Sequence, residues 1–191
     1  MKILQNKSLM IFITLFFMMA VTRSHHFSSA LHLPDASLAV FFLAGFFIQR
    51  ILALPILLLT AGAIDYLSIT LSNTSGWCVS SAYWFLIPTY ASLWFGGRWY
   101  ASKHAMKLKS IITLIVTLFV STTVAFAISN GSFYTISGGY TDPNWAEYFE
   151  RFAMYYPPYL SSAFIYVSAT TVIYIIIKTT PMLTTIKRII K

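Results

Sequence analysis

A chain of 191 residues that is 58% hydrophobic and only 9% charged, with a mean hydropathy of +0.72, is not a soluble domain; such domains carry about 25% charged residues. The net charge of +8 does not point to nucleic acid, because the basic residues sit at the ends of apolar runs rather than on one polar face. One cysteine excludes an internal disulfide, and the lack of a G-x-x-x-x-G-K loop followed by Ser or Thr excludes ATP hydrolysis by that route.

The length limits the chain to one membrane domain, residues 1–191, of roughly six spans at about 20 residues each. The first apolar run, Ser8 to Thr22, follows Lys2 and Lys7 and is short for a span. A basic start before a short apolar stretch also describes a signal peptide, with small residues for cleavage at Ser28 to Ala30. The five further spans favour a retained helix. Arg23, His25, His26 and His32 then form a polar loop closed by Pro34-Asp35, with Asp35 as N-cap of a short second run, Ala36 to Ile48.

Gln49-Arg50 leads into Ile51 to Leu71, a full-length span containing Pro55 and the small cluster Ala61-Gly62-Ala63, which lets helices approach closely in lipid. Turn residues Asn73 to Gly76 end it. The fourth span is Val79 to Gly97, with a kink expected at Pro88. A basic loop of Arg98, Lys103, His104, Lys107 and Lys109 precedes the fifth span, Ser110 to Ser129.

Asn130 to Pro158 reads as a long aromatic segment. Asp142-Pro143 opens an amphipathic helix, about residues 142–156, in which Trp145, Tyr148, Phe149, Phe152, Tyr155 and Tyr156 recur at helical spacing. Glu147, Glu150 and Arg151 take its other side, and Pro157-Pro158 is expected to stop it. The sixth span, Tyr159 to Lys178, leads to a basic tail with Lys187, Arg188 and Lys191.

Charge counting orients this map. With the N-terminus inside, eleven basic residues are cytoplasmic and only Arg23 and Arg151 lie outside. That bias puts both termini in the cytoplasm. It also gathers Cys78, the far end of the Asp65 helix and the aromatic helix on the outer face. Asp65 lies fourteen residues after Ile51, about 21 Å along a helix, and an ionisable residue at membrane depth marks a functional candidate. Its plainer reading is a structural pair with a neighbouring tyrosine or arginine.

Cys78 is either a small buried hydrophobe or, with its pKa lowered by a nearby cation, a soft-metal ligand. Tyr83 is close enough in sequence to share its site, or else belongs to an interfacial belt. Arg151 either faces that site or pairs with Glu147 four residues earlier. The histidines at 25, 26 and 32 match no strong ligand spacing and read as a solvated loop. The aromatic stripe is packing, or a lid over a large flat ligand.

Four segments carry a resemblance. Leu33-Pro-Asp-Ala-Ser-Leu-Ala-Val-Phe-Phe-Leu-Ala-Gly45-Phe, Ile64-Asp65-Tyr66, Cys78-Val-Ser-Ser-Ala-Tyr83 and Pro143-Asn-Trp-Ala-Glu-Tyr-Phe-Glu-Arg151 resemble the BtuM family. These are bacterial inner-membrane proteins for vitamin B12 uptake, similar to S-components of energy-coupling-factor transporters. The resemblance covers about residues 30 to 175. It implies an all-α, S-component-like fold of six transmembrane helices with an outward-facing cobalamin pocket. Cys78 would be the axial ligand of the corrin cobalt, surrounded by Asp65, Tyr83 and Arg151, and thiolate ligation would allow removal of cyanide from cyanocobalamin.

In that reading Tyr83, Trp145 and Phe152 also contact the cobalamin, whose size and polarity forbid unaided passage through lipid and require a pocket between helices. The chain departs from docking S-components in one respect: Leu9 to Val21 lacks an Ala-x-x-x-Ala pattern, which leaves a separate energising ATPase module open as a partner. Two other function classes compete. One is a membrane enzyme with Cys78 as nucleophile, which would need a base such as His25, His26 or His32 brought to it by the fold; the other is a non-catalytic assembly subunit.

Overall fold

The computed structural model describes residues 2–23, 33–48, 50–72, 80–105, 107–140 and 144–179, and no strand occurs among them. Six α-helices follow in chain order: α1 (Lys2–Arg23), α2 (Ser37–Phe47), α3 (Ala53–Ser72), α4 (Leu86–Lys103), α5 (Leu108–Ile136) and α6 (Trp145–Thr179). A 3-10 turn, Ser81–Phe85, precedes α4. By length and composition α3, α5 and α6 can each cross a membrane. At 11 residues, α2 is about 16 Å long, roughly half the ~30 Å hydrocarbon layer.

This short helix is the centre of the molecule. Ser37 to Gly45 are all buried, and Phe41 and Phe42 meet a core drawn from Met19 of α1, Leu57 of α3, Trp94 of α4 and Val167 of α6. A Cβ on Gly45 would run into the Trp94 carbonyl, and one on Gly97 into the Phe42 carbonyl. The α2 and α4 backbones therefore touch at a reciprocal glycine crossing, the close approach that small residues allow in lipid. Gly96 makes room instead for the Ser121 side chain of α5. The N-cap of α2 is Ala36, not Asp35, and it has no side-chain cap; Asp35 acts one residue earlier, where its Oδ1 accepts from the Ser37 backbone N–H at 2.9 Å and from the Ser37 hydroxyl at 2.6 Å.

Several boundaries differ from the sequence reading. The fourth helix begins at Leu86 instead of Val79, because the Ser80 hydroxyl accepts from the Ala82 N–H and opens a 3-10 turn first. Pro88 then lies in the first turn of α4, where its missing N–H costs no helical hydrogen bond, and is not a mid-span kink. Gly96-Gly97, read as the end of that span, is interior to α4, because glycine here serves helix crossing. The fifth helix runs seven residues past Ser129, to Ile136, and takes Asn130 into the helix.

The largest correction concerns Pro157-Pro158. The amphipathic stretch and the sixth span form one 35-residue helix that passes through both prolines. Phe126 of α5 braces the two sides: its ring lies 5.0 Å from Phe152, 5.2 Å from Tyr156 and 5.1 Å from Tyr159. Packing on either side of the lost hydrogen bonds carries the helix through both prolines.

Helix direction sorts the charges. The C-terminus of α1, the N-termini of α2, α4 and α6, and the C-termini of α3 and α5 share one end, with Asp35, Asp65, Glu147 and Glu150. Lys7, Arg50, Lys103, Lys107, Lys109 and Lys178 belong to the other. Below, these are the acidic and basic ends.

Candidate functional site

At the acidic end Asp65 is held by Arg23. The guanidinium donates from Nε to Asp65 Oδ1 at 2.6 Å and from Nη2 to Oδ2 at 2.7 Å, the bidentate fork that makes arginine–carboxylate pairs strong and directional. Nη1 donates to Ser37 Oγ at 3.0 Å and to Tyr90 Oη at 2.6 Å, and lies 3.5 Å from Asp35 Oδ2. Tyr83 Oη donates to Asp65 Oδ2 at 2.9 Å. Burial, and after it the Asp65 charge, holds the Tyr83 phenol above its ordinary pKa, so it remains a hydroxyl donor at neutral pH. Tyr90 is stacked on Phe41 at 4.2 Å, which ties the network to the buried centre of α2. The Arg23 side chain is 10% exposed and that of Asp65 23%.

This arrangement fixes what Asp65 can do. Its charge is cancelled by Arg23 and both its oxygens are occupied, so it joins α1, α3 and the 3-10 turn. Its pairing with a tyrosine and an arginine is the plainer of the two sequence readings. Arg23 is the residue that sequence reasoning missed, having been placed in a polar loop. A signal for it existed: a carboxylate at membrane depth needs a cation, and only two basic residues fall on that side.

Beside the network lies a cavity of about 360 Å³. Arg23, Asp65 and Tyr83 form one wall, and Phe126, Asn130, Phe133, Arg151, Tyr155 and Tyr159 line the rest. The Arg151 guanidinium sits between two rings, with Cζ 4.7 Å from the Tyr140 centroid and 5.2 Å from that of Tyr155, a cation–π arrangement. It makes no ion pair with Glu147 among the described residues; the Glu147 carboxylate accepts instead from Tyr134 Oη at 3.1 Å. With Asp65 neutralised, Arg151 leaves the cavity electropositive.

Asp65, Tyr83 and Arg151 are thus brought to one cavity from three segments. Trp145 and Phe152 are not among its lining residues. Trp145 is 76% exposed, and Phe152 packs edge-on against Phe126 and stacks with Tyr156; the rings that α6 itself brings to the cavity are Tyr155 and Tyr159. Cys78, His25, His26, His32 and the Asp142-Pro143 opening lie outside the described residues. No protein-family model matches the chain, and no curated protein matches it.

Proposed function

We propose that this chain is a cobalamin-binding uptake protein of the bacterial inner membrane, S-component-like, with six helices in the bilayer and both termini in the cytoplasm. The supporting observation is the convergence of Asp65, Tyr83 and Arg151 on one cavity. Those are the residues that the resemblance to the BtuM family places around the cobalt ligand. Cys78 precedes Tyr83 by five residues, a tether of at most about 18 Å, and the resemblance assigns its thiol to the same space. The volume is at the lower end of the roughly 300–1,000 Å³ usual for ligand pockets and suits an edge of a corrinoid. The acidic end then faces outward, because basic residues collect on the cytoplasmic side.

In this reading the Cys78 thiolate binds cobalt, and the electropositive cavity around Arg151 favours that thiolate. The same ligation displaces cyanide, which leaves with its bonding electron pair as the sulfur takes its place. Without an Ala-x-x-x-Ala pattern in α1, we read the protein as a solitary carrier.

Protein purified from cobalamin-fed cells is expected to be coloured, with visible bands displaced from those of free cobalamin. Cys78→Ser should lose the displacement and the cyanide removal, since an alcohol oxygen is a harder and weaker ligand. Colourless wild-type protein would refute the cobalamin reading. Coloured protein with the same spectrum in wild type and Cys78→Ser would refute the ligand assignment alone.

A further inference from the structure

A second hollow, of about 610 Å³, runs as a groove between α4 and α5. At its floor Gly96 makes room for the Ser121 side chain, and one turn earlier on α5 Thr117 is also buried. Its rims are large exposed side chains, Phe95 and Trp99 from α4 and Ile112, Val116 and Val120 from α5. Three of the hydroxyls along it are spent on their own helices. Thr117 donates to the Thr113 carbonyl at 2.6 Å, Thr113 to that of Lys109 at 3.0 Å and Ser92 to that of Thr89 at 2.7 Å. What the groove offers an occupant is mainly hydrocarbon.

Length and charge decide between occupants. From Ile112 to Val124 the groove follows twelve residues of α5, about 18 Å, close to the ~15 Å of one leaflet in a ~30 Å hydrocarbon layer. A partner helix crossing the bilayer would need a seat about twice as deep, whereas an acyl chain fits one leaflet. The groove starts at the basic end. Lys103 follows Trp99 by four residues on α4, and Lys109 precedes Thr113 by four on α5, so each extends its helix's groove-lining row by one turn. Both lysines are exposed, and so is Lys107 in the connection between the helices. The described carboxylates, of Asp35, Asp65, Glu147 and Glu150, all belong to the other end. Trp99 adds the amphipathic ring that favours head-group level. We propose that an anionic phospholipid binds here, with one acyl chain along the α4–α5 groove and its phosphate at Lys103 and Lys109. The site shares no lining residue with the Asp65–Arg151 cavity and does not depend on the cobalamin reading.

The test uses the purified full chain in detergent with phosphatidylglycerol or phosphatidylcholine of matched chains. Native mass spectrometry reads the lipid retained, and thermal unfolding reads stabilisation. Wild type is expected to hold one phosphatidylglycerol about tenfold more tightly than phosphatidylcholine, since each lysine near an anionic lipid surface contributes up to about fivefold. Lys103→Gln with Lys109→Gln, which alters only exposed side chains, should bring that ratio to within about twofold. Thr113→Trp fills the groove, as does Val116→Trp from the exposed rim should the first not fold, and either should lower retention of phosphatidylglycerol about tenfold by displacing buried methylenes. Glycerol 3-phosphate, a head group without chains, should not be retained. No phosphatidylglycerol preference in wild type, or one that survives the lysine changes, overturns the proposal. Retention unaltered in a folded groove variant overturns it as a surface charge effect, and retention of glycerol 3-phosphate as a plain anion site. A wild-type dimer that the groove variant makes monomeric overturns it in favour of a second copy of the chain.

Discussion

Two arginines at the acidic end do opposite kinds of work. Arg23 is spent: four of its N–H groups donate to Asp65, Ser37 and Tyr90. Asp65→Asn keeps the shape but leaves that guanidinium with only the more distant Asp35, 3.5 Å away, as counter-charge. Breaking a buried pair from one side typically costs about 3–5 kcal/mol, and the partial exposure of Asp65 places the expected loss near 3 kcal/mol, read as a fall in thermal unfolding midpoint in detergent. Tyr83→Phe removes only the single hydroxyl donation and should cost about 1 kcal/mol. Arg151→Leu deletes a buried Nε donor without a hydrogen-bond partner and two ring contacts, so it should cost about 1 kcal/mol or less, yet on the cobalamin reading it should weaken corrinoid binding by about 10–100-fold. If Arg151→Leu melted as early as Asp65→Asn, Arg151 would be a brace like Arg23.

At the level of elements, the crossing of α2 and α4 is the most exacting contact. Gly97→Val puts a branched side chain where the Phe42 carbonyl already sits, and the expected outcome is loss of folded, detergent-soluble protein. The lid expected from Trp145 and Phe152 divides in two. Phe152→Ala should lower the melting temperature, since it opens the cluster around Phe126 at the cost of about 3–5 kcal/mol for a buried phenylalanine, reduced by its partial exposure. Trp145→Ala should not change it measurably. Equal effects would mean that Trp145 is held more tightly than its 76% exposure implies.

The same elements show what the sequence makes legible. Apolar runs are visible because lipid and core alike demand them, and the Asp65–Tyr83 association follows from a lone carboxylate needing partners. Gly96-Gly97 and Pro157-Pro158 misled because each has two physical meanings. Glycine ends helices in water but permits crossings in a bundle. Proline stops an isolated helix, yet is carried through where neighbouring rings such as Phe126 hold both sides. Arg23 was hidden for a different reason: its partners lie 42 and 67 residues away, beyond what any local pattern encodes.

For the whole molecule, the separation of acidic and basic ends predicts orientation. A reporter fused after Lys191 should be cytoplasmic, and one inserted near Gly138 should be on the opposite side; an outside C-terminus would contradict the six-helix arrangement. The helices also differ greatly in height. With 29 and 35 residues, α5 and α6 are about 43 and 52 Å long, while the central α2 is about 16 Å and the hydrocarbon layer about 30 Å. Such helices must tilt or stand above the lipid. The parts that would stand above it carry the cavity wall from Asn130 to Tyr155 and the exposed rings of Trp145 and Phe149. On the cobalamin reading, membrane thickness would thereby control access. In long-chain lipids the acyl layer climbs towards the cavity mouth and bathes it in hydrocarbon, whereas in short-chain lipids the mouth opens among head groups. Corrinoid association should accordingly slow as acyl chains lengthen in nanodiscs, with the rate in detergent as the reference free of bilayer thickness.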